Sequence, residues 1–180
     1  MRSYFIPENF LKKLNIVNNF KNKGVLPKIS IVMPSYNQVK FIERSILSVL
    51  NQDYPNIELI IIDGESKDGT TEIIQKYETY IAYWVSEQDE GQSDALNKGF
   101  KLCSGEIFGW LNSDDIYLPN AFTSAVQAFD KNPRKKIVFG DFLSIDREGC
   151  VLDYNHAFDF NFNQFKYEGF HLNAQSMFWR

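Results

Sequence analysis

Short apolar runs of strand length alternate with stretches of helical period from residue 28 onward, and this alternation limits the fold more than any other feature of the chain. Ile29-Ser30-Ile31-Val32-Met33 reads as a buried strand ended by Pro34. Ile57 to Ile62 is largely β-branched, as strands covered on both faces of a parallel sheet are. Ile81 to Val85, Glu106 to Leu111 and Ile137 to Phe142 are further runs of this kind. Between them, Gln38 to Gln52 puts Phe41, Ile42, Ser45, Ile46, Val49 and Leu50 on one helical face. Thr70 to Tyr80 turns Ile73, Ile74 and Tyr77 inward. Gln92 to Cys103 does so with Ala95, Leu96, Gly99 and Phe100. Pro119 to Phe129 does so with Ala121, Phe122, Ala125, Val126 and Phe129, and Pro119 suits a first helical turn. Asp146-Arg147-Glu148-Gly149 predicts a hairpin turn, and Gln175 to Trp179 a last strand. The spacing predicts an α/β fold, a mostly parallel sheet with helices on both faces.

The composition adds limits. At 180 residues, with 44% hydrophobic and 23% charged residues, the chain suits one soluble domain. No apolar run approaches the ~18–20 residues of a membrane span. The net charge of −4 and the lack of a basic run argue against a nucleic-acid partner. Cys103 and Cys150 are too few for a disulfide framework or a zinc cluster and read as reduced thiols of a cytoplasmic protein. Residues 1–27 stand apart as an arm. Lys12, Lys13, Lys21 and Lys23 are interleaved with asparagines, and Phe10, Leu11, Leu14, Val17 and Phe20 keep a weak helical period. Met1 to Phe10 carries Pro7 and Glu8 and has no secretory-signal pattern. The arm packs on the domain or lies on a membrane surface, which would place the protein at the inner face of the membrane.

In parallel sheets of this type ligands bind beyond the carboxyl ends of the strands, and the polar clusters of this chain fall there. Pro34-Ser35-Tyr36-Asn37 follows the first strand, Asp63 and Ser66 to Thr70 the second, Glu87 to Gly91 the third, and Asn112-Ser113-Asp114-Asp115 the fourth. Adjacent carboxylates raise each other's proton affinity unless a cation intervenes. Asp114 and Asp115 are therefore candidate ligands of Mg²⁺ or Mn²⁺, with helix capping as the alternative. Asp63 could accept a hydrogen bond from a nucleobase or could serve as a turn residue. Tyr36 could stack on a base or be a loop aromatic. Asp68 is assigned to capping the second helix. No G-x-G-x-x-G, Walker-type or G-x-S-x-G motif is present. An acidic rim would repel a bare diphosphate, so a nucleotide ligand there requires a divalent cation.

Four ordered segments carry a resemblance. They are Ile31 to Asn37, Ile61 to Thr70, Ser86 to Gly91 with Asp94 to Gly99, and Leu111 to Asp115. Together they resemble glycosyltransferase family 2, in particular bacterial transferases of exopolysaccharide and O-antigen synthesis. The likeness covers roughly residues 28–142 and is weaker through Gln175 to Trp179. It implies a GT-A fold with a Rossmann-like nucleotide half, residues 28–115, and the start of an acceptor half, residues 116–180. It implies an inverting transfer of sugar from a nucleotide-diphosphate sugar, UDP-linked, to a glycan or lipid-linked acceptor, with a divalent cation. By position, Pro34, Tyr36 and Asn37 line the nucleoside pocket and Asp63 faces the base. Asp89 and Gly91 lie near base and ribose. Asp114 and Asp115 touch the ribose and the metal-diphosphate.

The chain departs from the family pattern at Asn112, where many relatives have an acid, at Gly64, where many have Asp, and at Leu96, where many have Arg. The general base of the family has no match before Arg180 and is expected beyond it. Two other readings compete: a catalytically incomplete nucleotide-sugar-binding module, and a nucleotidyltransferase. A chain ending at Arg180 is expected to expose Phe160, Phe162, Phe165, Phe170 and Trp179. The result would be a homodimer or a partly disordered stretch between Asp153 and Asn173.

Overall fold

The computed structural model describes residues 26–158, 160, 162–167 and 173–180. The expected arm, residues 1–27, falls almost entirely outside them. Four parallel strands form the first part of the sheet: β1 (Ile29–Ser35), β2 (Ile57–Asp63), β3 (Tyr83–Ser86) and β4 (Ile107–Trp110). β1 is paired on both sides, and none of its residues reaches solvent appreciably. That explains its unbroken apolar run. Two further strands, β5 (Ile137–Phe139) and β8 (Met177–Trp179), complete a six-stranded sheet of order β3-β2-β1-β4-β8-β5. β8 runs antiparallel to both neighbours, inserted between β4 and β5. The hairpin predicted at Asp146 to Gly149 joins β6 (Phe142–Ile145) to β7 (Val151–Asn155), which form a separate two-stranded sheet.

Helices α1 (Ile42–Leu50), α2 (Thr70–Lys76), α3 (Gln92–Leu102) and α4 (Ala121–Lys131) cover both faces of the large sheet. Alternate residues of each strand point to opposite faces. Ile29, Ile31, Met33, Leu59 and Ile61 meet Ile42, Ile46, Val49, Ile74, Phe122 and Phe129 on one face. Ile60 and Ile62 meet Ala95 of α3 on the other. Close approach of α3 depends on Gly99, because a Cβ there would overlap Val32 Cγ1. An aromatic group of Tyr117, Phe122 and Phe178, with ring centroids 4.9–5.8 Å apart, fastens α4 and β8 to the sheet. Among the described residues no helix is long and apolar enough to cross a membrane.

Several boundaries differ from the sequence expectation. α1 begins at Ile42 rather than Gln38, because Phe41 before it has φ −122°, outside the helical range, while the Gln38 and Val39 N–H groups donate to Thr70 Oγ1 and Asp68 Oδ2. α4 begins at Ala121, two residues after Pro119, because Asn120 is left-handed with φ 66°. The run from Ile137 divides into β5 and β6, and a short helix α5 (Phe162–Tyr167) was not expected. Asp153 to Asn155 belong to β7. Phe160 is exposed as expected. Trp179 is not: it packs half-buried against Phe100 and Phe108, at 5.3 and 6.4 Å between centroids. Phe170 and the side chains of Phe162 and Phe165 lie outside the described residues.

Candidate active site

The carboxyl ends of β1, β2, β3 and β4 open onto a cleft of about 650 Å³. Pro34, Tyr36, Asp89, Gly91 and Asp114 line it, as the sequence suggested. Gly64, Glu65, Lys67, Gln88, Gln92, Asn112 and Ser113 line it as well, and sequence reasoning did not single these out for a ligand. Tyr36 is 64% exposed at the end of the rigid β1 strand, so its ring is available for contact. The lining carboxylates Glu65, Asp89 and Asp114 face a single lining cation, Lys67, which is itself paired with Glu65 at 3.0 Å.

Asp63 is placed differently from the expectation. It is 0% exposed and lies beneath the cleft rather than on its surface. Its carboxylate accepts from Ser66 N at 2.9 Å, Ser66 Oγ at 2.5 Å and Ser86 Oγ at 2.7 Å. Three donors offset the cost of burying this charge, and they tie the ends of β2 and β3 to the loop after β2. The Asn37 side chain is likewise committed. Its Oδ1 accepts from Lys67 N at 3.0 Å, while Asn37 N donates to Ser66 Oγ at 2.8 Å. Asn37 does not line the cleft. Asp68 is structural, as assigned: it accepts from Val39 N, Thr70 N and Thr70 Oγ1, while Gly69 holds the N-cap position itself.

Gly64 and Asp89 fit together. A Cβ at Gly64 would come within 3.0 Å of Asp89 Oδ2, so the missing side chain leaves room for the Asp89 carboxylate to lie over the end of β2. Asp89 Oδ1 also accepts from Gly91 N at 2.8 Å, in a turn that requires φ 103° at Gly91. Behind this turn Lys98 pairs with Glu87 at 3.0 Å and Asp94 at 3.2 Å.

Asp114 and Asp115 diverge. Asp114 lines the cleft and is exposed. Asp115 lines a neighbouring cavity and is half-buried. A line of amides runs from one space to the other. Gln92 Nε2 donates to Asn112 Oδ1 at 2.6 Å, Asn112 Nδ2 donates to Asp115 Oδ2 at 3.0 Å, and Gln175 Nε2 donates to the same oxygen. Burial pushes the Asp115 carboxyl above the usual range, the two amide bonds pull it down, and the Asp114 charge raises it again. Among the described residues no three His, Cys, Asp or Glu side chains converge into a metal site. The donor set still fits a hard divalent cation shared with a ligand. Among the described residues no hydrogen bond reaches Asp115 Oδ1, Asp114 offers oxygens from the adjoining cleft, and positive charge between the two would relieve the raised proton affinity of Asp115.

A sequence model described as Glycosyl transferase family 2 matches residues 30–178. The chain belongs to that family. It is 39% identical over 131 residues to an uncharacterized glycosyltransferase of Rickettsia felis, covering 71% of this chain and 22% of that protein. It is 33% identical over 124 residues to the UDP-Glc:alpha-D-GlcNAc-diphosphoundecaprenol beta-1,3-glucosyltransferase WfgD of Escherichia coli, covering 68% and 49%. Residues 1–349 of Staphylococcus aureus TarS, solved in complex with UDP-GlcNAc, superpose with a TM-score of 0.57 at 25% identity, over 62% of this chain and 33% of that one. The chain thus spans between about a fifth and a half of the length of these relatives. The family 2 membership and the GT-A architecture expected from the motifs are the ones found.

Proposed function

We propose that this chain forms the donor-binding part of an inverting glycosyltransferase. Its substrates would be a nucleotide-diphosphate sugar, UDP-linked, and a glycan or lipid-linked acceptor of cell-surface polysaccharide synthesis. The observation that carries this reading is the cleft at the ends of β1 to β4, where an exposed Tyr36 ring and the Asp89 and Asp114 carboxylates face one space. An aromatic ring supplies a stacking surface for a base. Asp89, held by Gly91 N, would accept from base or ribose donors. WfgD, which uses UDP-Glc by its name, and TarS, which binds UDP-GlcNAc, support a UDP-linked donor.

Asp114 and Asp115 would hold Mg²⁺ or Mn²⁺. Bound there, the cation supplies positive charge against the diphosphate that leaves with the nucleotide. Asn112 and Gln175 keep the Asp115 carboxylate oriented. Inverting transfer is one displacement: an acceptor hydroxyl gives its proton to a carboxylate base and attacks the anomeric carbon, while the bond from that carbon to the diphosphate oxygen breaks on the opposite face. The test is a calorimetric titration of the whole protein with UDP and with UDP-glucose, each with and without Mn²⁺. Binding that requires the cation and is weakened in Tyr36→Ala is expected. Absence of nucleotide binding under either condition would overturn the reading.

A further inference from the structure

The second cavity, of about 420 Å³, lies beside the cleft and meets it across the Asp114–Asp115 peptide. Its walls are mostly apolar, and the polar groups that reach it include Asp115, Gln175 and Asp141. A largely apolar pocket with a few placed polar groups is the usual form of a small-molecule site. Asp141 sits between β5 and β6, at the point where the chain leaves the large sheet for the hairpin. Its carboxylate is held from both sides. Tyr154 Oη donates to Oδ2, and Ala157 N donates to Oδ1 at 2.8 Å. His156 Nδ1 stands 3.7 Å from Oδ2, and the Tyr154 and His156 rings meet edge-on at 4.4 Å.

One role for this arrangement is to staple the loop after β7 to the start of β6. A staple alone needs no face on a cavity, yet the Asp141 side chain is 43% exposed and lines this one. Two fixed hydrogen bonds still leave acceptor capacity on the carboxylate. Its bonds to Tyr154 and Ala157, with His156 nearby, also hold its carboxyl below the ordinary range, so it stays ionised. Phe139 and Phe142 line the same cavity on either side of it. A carboxylate on an otherwise apolar wall matches a sugar ring, which offers hydroxyl donors at its edge and C–H bonds on its face.

We propose that Asp141, oriented by Tyr154 and Ala157, accepts a hydrogen bond from a hydroxyl of the acceptor sugar bound in this cavity, and so selects the acceptor. The inference rests on the transferase reading above, in which a second substrate must come up beside the first. The test uses the whole protein saturated with UDP. Methyl β-D-glucopyranoside and methyl N-acetyl-β-D-glucosaminide serve as probes in saturation-transfer NMR. Binding of at least one glycoside is expected. Asp141→Asn should weaken it about tenfold or more, as loss of a charged acceptor does, with UDP affinity unchanged. Tyr154→Phe, which keeps the carboxylate and frees it to rotate, should weaken it less. No glycoside binding, or equal binding by both variants and the unaltered protein, would overturn the proposal. Should Asp141→Asn fail to fold, Tyr154→Phe decides: unchanged glycoside affinity in that variant overturns it. Failure of UDP itself to bind would instead remove the transferase reading, so the two failures are distinguishable.

Discussion

The Gln175 side-chain amide donates to the Asp115 carboxylate across 60 residues of sequence and across the junction between two cavities. Asn112 donates to the same oxygen, and among the described residues none donates to the other. Asp115 is thus aimed by its neighbours, and the aim has a cost in stability.

That cost gives the first prediction. The Asp115 carboxyl is raised mainly by burial, and the Asp114 charge adds to it. A carboxyl raised in the folded state binds its proton more tightly there than in the unfolded chain. Its stabilising effect is therefore full below the unfolded value and is lost as pH rises through the raised one. At neutral pH the ionised group is a liability. Asp115→Asn should accordingly raise the melting temperature of the ligand-free protein, and the gain should shrink below pH 4, near the ordinary carboxylate range. Mn²⁺ with UDP should raise the melting temperature of the unaltered protein and not that of the variant. Thermal melts at two pH values, with and without these ligands, check both halves.

Asp63 behaves oppositely. With both oxygens bonded to Ser66 and Ser86 and no exposed surface, its removal strands buried donors. Asp63→Ala should cost on the order of 2–3 kcal/mol of stability. Nucleotide affinity measured well below the melting point should fall much less. Denaturant unfolding paired with a binding isotherm separates this from direct contact with the base, which would show the reverse.

Tyr36 is the complementary case, since its ring is open to the cleft and supports little of the fold. Tyr36→Ala should weaken UDP binding by about 1–3 kcal/mol, the range for losing one base–aromatic stack, with a melting temperature close to that of the unaltered protein. Tyr36→Phe should retain most of the affinity. Equal losses in the two variants would assign the effect to the hydroxyl instead.

Gly99 tests the packing of the sheet. A Cβ there would overlap Val32, a stiff β-branched side chain in the most buried strand. Gly99→Ala should destabilise by about 1–3 kcal/mol through overpacking, despite the better helix propensity of alanine. Unfolding in urea provides the value, and a stabilised variant would show that α3 has room to shift.

Much of this architecture could be read from local pattern. The apolar runs located β1, β2 and β4, and the helical faces of α1 and α4 matched the residues found buried. What was not legible depends on partners remote in sequence. Nothing near Asp63 announces that Ser86, on another strand, donates to it. The start of α1 shifts to Ile42 because Phe41 leaves the helical range, in a loop tied to the remote Asp68 and Thr70. Pro34, Tyr36, Asp89, Gly91 and Asp114, to which the family resemblance pointed, line the cleft at the strand ends. Gln92, Asn112 and Gln175 carry no charge, and only the folded geometry shows that they connect the two spaces.

The antiparallel β8 has a consequence in time. β5 pairs with no strand except β8, which is synthesised about 40 residues later. On the ribosome β1 to β4 can already be zipped while β5 waits for β8, its one neighbour among the described strands, since long-range pairings close late. The side that carries the cleft is thus ready before the wall made by Val138, Phe139 and Phe178 is raised, and chain growth itself sets which of the two spaces exists first.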